Sequence, residues 1–376
     1  MSKIIIAMSG GVDSSVAAAL LKEQGHEIEG MMLRLWSQPG KESENACCTL
    51  ESLSLAEQVA NQLDIPFYII DAKEPFRDIV VDYFIDSYAR GETPNPCLMC
   101  NRHIRWGILL AEALKLGADF IATGHYVQTR FILPTGEKYQ FPLNALSAAP
   151  GGVFENSEVQ LLRGADKGKD QAYVLHVLTQ EQLKKSIFPI GQYPKSEIRE
   201  LAHKFNLPVA EKADSQDLCF LSGGDYRDFL REYAPNTTQK GKIINSEGKI
   251  LGEHQGLALY TIGQRKGLGI SSPNSLYVLR KDLEKNALVV GEWTELGKSE
   301  MRVANINWIG AAPTSNFRTQ VKIRYGAKNA WAEITPLSGT QAKIAFETAQ
   351  RGISPGQAAV FYQDEICLGG GIIQLT

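Results

Sequence analysis

A glycine loop near the amino end is the part of the sequence best suited to hold phosphate. Ser9, Gly10, Gly11 and Ser14 follow a short apolar, β-branched stretch and precede a stretch rich in alanine and leucine. Glycines allow a positive φ and let the backbone come close to a ligand. Successive backbone N–H groups at the start of a helix form an anion-binding nest. We therefore expect a phosphate site at a strand–loop–helix junction; the alternative is a glycine-rich turn without a ligand.

The spacing of the glycines distinguishes this loop from two common phosphate loops. No Gly-Lys-Ser/Thr follows, so it is not a Walker A loop, and the dinucleotide fingerprint has a different glycine spacing. The run Ser-Gly-Gly-Val-Asp-Ser instead resembles the PP-loop of the ATP pyrophosphatase superfamily. Members of that superfamily cleave ATP between the α- and β-phosphates and adenylate a carbonyl oxygen. The resemblance implies that Asp13 lies near the phosphates and reaches them through Mg²⁺.

Two cysteines separated by two residues form the second chemical feature. Cys97 and Cys100 follow two prolines that stiffen the approach to them. If a helix begins at Asn101, Cys100 lies at its N-terminal end. There the helix dipole would lower the pKa of the thiol and favour the thiolate.

A third cysteine, Cys219, lies far along the chain, and three interpretations of the set remain open. One cysteine could carry a persulfide that another resolves. Cys97, Cys100 and Cys219 could instead hold an iron–sulfur cluster with a fourth position open. The third interpretation is buried structural cysteine, which we favour for the remaining three: Cys47, Cys48 and Cys367.

The order of apolar stretches predicts the architecture that positions these groups. Strands separated by single helices indicate a doubly wound parallel sheet in the first part of the chain. The predicted strands are 3–8, 27–36, 65–71 and 118–123, and the predicted helices are 14–24, 50–63, 75–88, 103–116, 179–185 and 195–205. After residue 233, short strands and glycine turns predict one or two small barrels. Examples are 241–245, 275–279, 287–290 and 319–325.

Three domains follow from this pattern. A chain of 376 residues is too long for one ordinary core. We expect an α/β domain at 1–232 that carries the chemical groups, a small central domain at 233–295, and a β-barrel at 296–376. Residues 131–160, with three prolines and weak periodicity, predict an exposed hairpin or insertion.

Composition excludes several classes of protein. With 44% hydrophobic and 22% charged residues the chain has the profile of a globular protein. No apolar run approaches the roughly 18 residues of a membrane span, and the amino end lacks a signal-peptide pattern, so we expect a cytoplasmic protein. The net charge is −3, so any nucleic-acid contact must come from local basic patches. One candidate stretch runs from Arg302 to Lys328.

Several motifs in the same order resemble the tRNA-specific 2-thiouridylases nearly end to end. They are SGGVDSS at 9–15, TPNPCLMCN at 93–101, ATGHY at 122–126, GKDQAYVL at 168–175, DSQDLCF at 214–220, GEHQGLALYTIGQRKGLGI at 252–270, IRY at 323–325 and SPGQAAVFY at 354–362. The resemblance implies an adenylating domain, a small central domain and a C-terminal β-barrel.

The same resemblance implies site residues. Those that bind ATP are Ala7, Met8, Ser9, Gly10, Gly11, Val12, Asp13, Ser14, Leu33 and Gly124. Those that contact the target base are Asn95, Pro96 and Cys97, and those that contact tRNA are His125, Lys169, Asp170, Gln171, Arg324, Tyr325 and Gln357. Cys100 matches the nucleophile of the family, and Cys219 matches its persulfide carrier.

The implied reaction converts the wobble uridine of the tRNAs for Lys, Glu and Gln to 2-thiouridine, with release of AMP and pyrophosphate. The sulfur comes from a donor such as a cysteine desulfurase or a sulfur-relay carrier. Some members have aspartate where this chain has Cys97, and members with two cysteines have been linked to a four-iron–four-sulfur cluster. Two other functions stay open: a PP-loop enzyme that adenylates a small molecule, and a tRNA-binding iron–sulfur protein.

Overall fold

A parallel sheet forms the centre of the first half of the protein. The computed structural model describes residues 2–40, 49–140, 156–214, 218–221 and 224–375. The strand order is β3-β2-β1-β4-β8, and all neighbours are parallel. The strands are β1 (Lys3–Ala7), β2 (Glu27–Arg34), β3 (Phe67–Asp71), β4 (Phe120–Ala122) and β8 (Ser186–Ile187). The predicted doubly wound α/β fold is confirmed.

Helices cover this sheet. They are α1 (Val12–Glu23), α2 (Leu50–Gln62), α3 (Lys73–Phe76), α4 (Asp82–Ala89), α5 (Pro96–Met99), α6 (Leu110–Lys115), α7 (Ala172–Leu175), α8 (Gln180–Lys184), α9 (Lys195–Lys204) and α10 (Tyr226–Tyr233). π-helical turns at Arg77–Val81 and Cys100–Leu109 join α3 to α4 and α5 to α6. Within the described ranges, no helix is long and apolar enough to cross a membrane.

The strand order places the glycine loop at the point where the sheet changes direction. From β1 the chain moves first toward β2 and β3 and later returns to β4 on the other side. Ligands of open α/β sheets bind in the crevice at the carboxyl ends of such neighbouring strands. The loop after β1 and the turn after β4, which contains Gly124, therefore face the same crevice.

The helix that carries two of the cysteines begins earlier than the sequence interpretation placed it. It starts at Pro96, not near residue 101 or 103, because Asn95 caps it and proline is well suited to the first helical position. Cys97 therefore lies in the first turn, and Cys100 lies one turn further in. The helix dipole acts mainly within the first turn, so Cys100 does not lie at the helix end on which the expected dipole effect depends.

The region predicted as an exposed hairpin or insertion is partly core. Strands β5 (Val127–Ile132), β6 (Lys138–Gln140) and β7 (Glu158–Arg163) form an antiparallel sheet in which Phe131, Val159 and Leu161 are fully buried. Buried residues alternate along β5 (Val127, Thr129 and Phe131), but the polar Thr129 and the prolines nearby make this pattern hard to detect in the sequence. Residues 141–155 lie outside the described part of the chain.

The central region forms a small four-stranded sheet of order β10-β9-β12-β11. Its strands are β9 (Gly241–Asn245), β10 (Ile250–His254), β11 (Tyr277–Asp282) and β12 (Ala287–Gly291).

The last region closes into an antiparallel barrel because β13 pairs with both β16 and β18. The barrel strands are β13 (Gly297–Trp308), β14 (Phe317–Lys322), β15 (Ala330–Ser338), β16 (Gln341–Arg351), β17 (Ala358–Gln363) and β18 (Ile366–Ile373). β18 also pairs with β7. Strands from the first 232 residues thus extend the sheet of the barrel, which fixes the barrel against the α/β domain.

Candidate active site

The glycine loop adopts the conformation that a phosphate nest requires. Gly10 has φ +66, and a Cβ placed on it would collide with the carbonyl oxygen of Ser52. Gly11 is the N-cap of α1. The hydroxyl of Ser14 accepts a hydrogen bond from the backbone N–H of Ser9 (3.2 Å), and the hydroxyl of Ser15 donates to the carbonyl of Gly11 (2.9 Å). The loop is therefore closed on itself at the N-terminus of α1.

Gly124 lies against the beginning of the same helix. A Cβ on Gly124 would lie 2.7 Å from the backbone carbon of Asp13 and from the backbone nitrogen of Ser14. Only glycine fits this approach. The structure therefore brings the expected nucleotide residues of β1 and β4 together, while Met8 and Leu33 are buried in the apolar layer at 3% and 9% exposure.

A network of opposite charges extends from the glycine loop. Oδ1 of Asp13 accepts hydrogen bonds from Nζ of Lys195 and from the hydroxyl of Tyr126, both at 2.6 Å. Nζ of Lys195 also lies 2.8 Å from Oδ1 of Asp214, and Nζ of Lys169 lies 2.7 Å from Oδ2 of Asp214. Burial alone would raise the pKa of Asp214, but the hydrogen bonds from Lys169 and Lys195 lower it to about 2.

Two further cations anchor this network. Nη2 of Arg199 lies 3.0 Å from Oδ1 of Asp214. Nζ of Lys212 donates to the carbonyl of Gly10 and to the hydroxyl of Ser52, both at 3.1 Å. The sequence interpretation gave no role to five members of this network: Tyr126, Lys195, Arg199, Lys212 and Asp214. Tyr126 and Asp214 lie within motifs that it did recognise, whereas a basic residue at the start of a helix carries no comparable signal.

The cysteine helix is fixed at both its start and its side. Oδ1 of Asn95 accepts a hydrogen bond from the backbone N–H of Cys97 (3.2 Å). Nδ2 of Asn101 donates to the carbonyl of Val174 (3.0 Å), next to the segment that carries Lys169. Cys97 is exposed and Cys100 is buried, with 8% exposure.

Cys219 lies on a short turn (Cys219–Leu221) that faces the start of the cysteine helix. The ring of Phe220 packs edge-on against Phe84 at 5.3 Å between ring centroids, which holds the turn on α4. A cavity of about 480 Å³ lies between the two segments. Its lining residues are Phe84, Tyr88, Pro94, Asn95, Pro96, Leu218, Leu221, Gly224, Asp225, Tyr226, Arg227 and Gln357. The expected base-contact residues Asn95 and Pro96 therefore face a space large enough for a nucleobase.

The barrel closes one side of this cavity. Nε2 of Gln357 donates to the carbonyl of Thr93 (2.8 Å), and the backbone N–H of Thr93 donates to the carbonyl of Pro355. The barrel thus holds the loop that leads to the cysteine helix, and Gln357 is both a lining residue and a clamp.

Among the expected tRNA contacts, several side chains are accessible. The side chain of Lys169 is 41% exposed, Tyr325 is 45% exposed, and Arg324 is exposed. Oε1 of Gln171 accepts from the backbone N–H of Tyr126 (2.8 Å), which ties this segment to the turn after β4.

Two residues expected to contact tRNA, His125 and Asp170, have buried side chains, and their contact with tRNA stays a prediction. His125 is 6% exposed, and its ring nitrogens contact Arg105 (3.0 Å) and the hydroxyl of Thr123 (2.8 Å). Burial, with the charge of Arg105, keeps the pKa of His125 well below its usual range. Asp170 is 4% exposed, and its Oδ1 accepts backbone hydrogen bonds from Gly164 and Ala172. Both side chains support the loops around the site from inside the protein.

A metal cluster would need a set of side-chain ligands that lie close together. Among the described residues, no group of three or more His, Cys, Asp or Glu side chains lies close enough to hold a metal ion. Cys97, Cys100 and Cys219 are therefore not arranged as a three-ligand site. Cys47 and Cys48 lie outside the described residues.

Comparison with known proteins covers the whole chain. Family models match residues 2–223 (tRNA methyl transferase HUP domain), 227–292 (tRNA methyl transferase PRC-barrel domain) and 298–373 (aminomethyltransferase beta-barrel domain). The tRNA-specific 2-thiouridylase MnmA of Moorella thermoacetica is 44% identical over 98% of this chain and 99% of its own length. That of Roseiflexus castenholzii is 44% identical over 99% of each chain. A solved 4-thiouridine synthetase–RNA complex with bound ATP covers 62% of this chain and 51% of its own, at 16% identity and a TM-score of 0.34, a likeness too weak to carry weight. The full-length identity shows that this chain belongs to the tRNA-specific 2-thiouridylase family.

Proposed function

We propose that this protein is an ATP-dependent tRNA uridine 2-sulfurtransferase. Its substrate is the wobble uridine in the anticodon loops of the tRNAs for Lys, Glu and Gln, and its products are 2-thiouridine, AMP and pyrophosphate. Thiolate chemistry requires a reducing compartment, so we expect the reaction to take place in the cytoplasm. Sulfur is supplied by a cysteine desulfurase or a relay carrier.

One observation carries the proposal: the chain of contacts from the glycine loop to the segment before Cys219. Asp13 belongs to the loop, Lys195 bridges Asp13 to Asp214, and Asp214 precedes Cys219 by five residues. The turn that carries Cys219 borders the same cavity as the start of the cysteine helix. These contacts support the proposal that the phosphate cradle and the two thiol segments serve one site, as an adenylation followed by sulfur transfer requires.

The first step activates the base. The C2 oxygen of uracil attacks the α-phosphorus of ATP, the bond between the α-phosphorus and the bridging oxygen breaks, and pyrophosphate leaves. Backbone N–H groups of Gly11 and its neighbours stabilise the departing charge without reorganisation. Lys195 and Lys169 supply positive charge beside them. The C2 oxygen has then become part of AMP, a good leaving group.

Mg²⁺ fits this site through a carboxylate. Asp13 is partly exposed, and its Oδ1 is bonded by Tyr126 and Lys195, so Oδ2 is the oxygen that would reach the ion. Carboxylate and phosphate oxygens are the ligands that Mg²⁺ prefers. When bound, the ion would neutralise charge on the phosphates.

The second step transfers sulfur. The terminal sulfur of a persulfide on Cys219 attacks C2, and the C2–O bond breaks with loss of AMP. The thiolate of Cys100 then attacks the inner sulfur on Cys219, which breaks the S–S bond and leaves 2-thiouridine and a Cys100–Cys219 disulfide. A thiol reductant restores both cysteines. In the second route, Cys100 attacks the persulfide first and releases hydrosulfide beside the base.

We favour persulfide chemistry over a four-iron–four-sulfur cluster for this chain. Cys97 is exposed, Cys100 is buried, and no three-ligand group exists within the described residues. We therefore derive no step through a cluster.

The target base must leave its stack to reach the cavity. Unpaired bases of an anticodon loop can be splayed out at lower cost than bases of a duplex. Asn95 and Pro96 line the cavity that would receive the base. Arg324 and the half-exposed ring of Tyr325 offer a phosphate contact and a stacking surface on the barrel.

The test is direct formation of the product. The protein is incubated with unmodified tRNA for Lys, Glu or Gln, ATP, Mg²⁺ and a cysteine desulfurase with cysteine as the persulfide source, and nucleosides are analysed by mass spectrometry. We expect 2-thiouridine that depends on ATP, with one AMP per thiolated base. Formation of 2-thiouridine without ATP would contradict the proposal. Cleavage of ATP without any thiolated base, whichever sulfur source is supplied, would also contradict it.

A further inference from the structure

A loop of the central region carries two exposed cations that the proposed reaction does not use. The loop spans residues 261–269 and turns at three glycines with positive φ, the first of which is Gly263. Arg265 and Lys266 lie at its tip, and both are exposed.

The loop is held in a defined shape. Oε1 of Gln264 accepts from the backbone N–H of Thr261, and Nε2 of Gln264 donates to the carbonyl of Lys266, both at 3.0 Å. The backbone N–H of Gly263 donates to the carbonyl of Val278 (2.8 Å), which fixes the loop on β11. A braced loop presents its cations without the full loss of freedom that ordering a mobile loop would require.

The loop adjoins the part of the barrel that contains Arg324. A Cβ on Gly352 would lie 3.5 Å from Nη1 of Arg324 and 4.0 Å from the carbonyl oxygen of Ile262. A Cβ on Gly263 would lie 3.5 Å from Cα of Gly352. The central loop and the barrel therefore form one continuous surface at this point.

An exposed aromatic ring, that of Trp293 in the short turn after β12, lies beside this junction. Arg351, directly before Gly352, places its guanidinium 4.8 Å from the ring centroid of Trp293. Trp293 is 49% exposed, and its ring also packs on Tyr277 at 5.0 Å. A tryptophan held by a cation and a tyrosine is a rigid surface on which a base can stack.

These cations lack acidic partners. We call the four of them, together with Trp293, the junction patch: Arg265, Lys266, Arg324 and Arg351. Within the described part of the chain none of the four forms an ion pair.

Two nearby carboxylates are already bonded. Glu292 accepts from Nδ2 of Asn274 (2.8 Å), and Glu295 is hydrogen-bonded to the hydroxyl of Ser246 and to the backbone N–H of Glu292. Both carboxylates keep their negative charge, but within the described residues neither forms an ion pair with a cation of the junction patch.

We propose that the junction patch binds the sugar–phosphate backbone of the substrate tRNA, so that the central domain shares in tRNA binding. The inference rests on the proposed function, which makes tRNA the substrate. Unpaired cations match phosphates, and exposed aromatic rings beside them match bases. Arg324, which is expected to contact tRNA, belongs to the same patch, so RNA is the occupant that the whole patch fits.

The test measures the salt dependence of tRNA binding. The affinity of the full chain for unmodified tRNA is determined by fluorescence anisotropy from about 50 to about 300 mM KCl. We expect R265A/K266A to make the log–log slope shallower by about 1.4 to 1.8, because each lost phosphate contact removes roughly 0.7 to 0.9. W293A should weaken binding without changing the slope. The control K242A/K249A removes two exposed cations from the β9–β10 hairpin of the same domain and should leave both unchanged.

The outcomes separate this inference from the proposed function. Identical slopes for R265A/K266A and the wild type would overturn the patch even if the wild type makes 2-thiouridine. R265A/K266A could instead keep its tRNA affinity and turn over more slowly only when a donor protein supplies the sulfur. That result would assign the patch to the donor protein and would also overturn the proposal that it binds tRNA. A shallower slope in a protein that makes no 2-thiouridine would support the patch and defeat the proposed function.

Discussion

Nζ of Lys195 donates a hydrogen bond of 2.6 Å to Oδ1 of Asp13, although the two residues are 182 positions apart in the chain. The same Nζ lies 2.8 Å from Asp214. Lys195 is therefore the link between the glycine loop at the start of α1 and the segment that leads to Cys219.

Lys195→Met should disable adenylation. The change removes a largely buried cation, leaves Asp13 and Asp214 without it, and withdraws positive charge from the expected pyrophosphate position. Loss of one charge-stabilising donor at a reacting centre costs about a hundredfold in rate. Pyrophosphate release with saturating tRNA and ATP measures this step, and Lys195→Arg should recover part of it.

Lys204→Met is the matched control for that experiment. Lys204 lies on the same helix and pairs with Glu23 at the surface, where both side chains are more than half exposed. Surface pairs contribute little, so this variant should keep wild-type pyrophosphate release. Equal rates for Lys195→Met and Lys204→Met would remove Lys195 from the reaction.

Gly10→Ala should abolish ATP binding, because the new Cβ adds a steric collision to the backbone strain. At φ +66 an alanine costs about 1–2 kcal/mol, and its Cβ would also collide with the carbonyl of Ser52. Displacing the loop by an ångström can cost about a hundredfold in rate. Gly25→Ala has a similar φ of +80 with nothing within 4 Å, so it isolates the strain. Calorimetric titration with ATP should find binding intact in Gly25→Ala and lost in Gly10→Ala. Similar ATP affinities for the two variants would contradict this prediction, because they would show that the loop relieves the collision.

The glycine loop could be predicted from sequence because its information is local. Ser9 to Gly11 lie between a strand and a helix that each have a clear sequence pattern, Ser14 lies in the first turn of that helix, and the loop conformation follows from the glycines. The start of the cysteine helix differs from the prediction although Asn95 and Pro96 are a local helix-cap signal. The two prolines also fit a stiff, non-helical segment before Cys97, and the prediction used only that property.

Long-range pairing could not be predicted in the same way. The pairing of β7 with β18 brings together residues about two hundred positions apart, and the sequence of neither strand indicates which strand it pairs with. The Asp13–Lys195–Asp214 network has the same origin: each residue is ordinary in its own segment, and only the packing of α9 beside α1 brings them together. The burial of Asp170 and His125 likewise depends on tertiary contacts.

Asp214→Asn should destabilise the protein in a pH-dependent way. Burial alone would raise the pKa of Asp214, but Lys169 and Lys195 lower it from 3.8 to about 2. A carboxylate with a lowered pKa contributes stability above its unfolded pKa and loses it as the pH falls toward the folded pKa. The urea midpoint of Asp214→Asn should therefore lie below that of the wild type at pH 7, and the difference should shrink from about pH 4 toward pH 2.

The control for this titration is Asp228→Asn. Asp228 is an exposed carboxylate that pairs with Arg231 one turn along the same helix. Its urea midpoint should follow that of the wild type at every pH. A difference for Asp214→Asn that persists unchanged below about pH 2 would show that its charge is not the cause.

Cys219→Ser and Cys100→Ser should each stop thiolation while leaving adenylation intact. Serine cannot carry a persulfide or resolve one, whereas the proposed adenylation step uses the glycine loop and does not use these two thiols. The measurement is paired: pyrophosphate release continues with tRNA and ATP, and 2-thiouridine is not formed. Cys367→Ala, which removes a thiol buried in the barrel, serves as the control and should thiolate normally. Full product from either serine variant would contradict the assigned roles.

Cys97→Ser tests the choice between the two sulfur mechanisms. Cys97 is exposed in the first turn of its helix. In the persulfide mechanism Cys97 neither carries nor resolves sulfur. We therefore expect aerobically purified Cys97→Ser to thiolate tRNA at about one tenth of the wild-type rate or faster, because the variant loses only a contact with the target base. A cluster held by Cys97, Cys100 and Cys219 would instead require all three thiolates. Iron that copurifies with the wild type, disappears in Cys97→Ser and takes all activity with it would overturn the persulfide assignment.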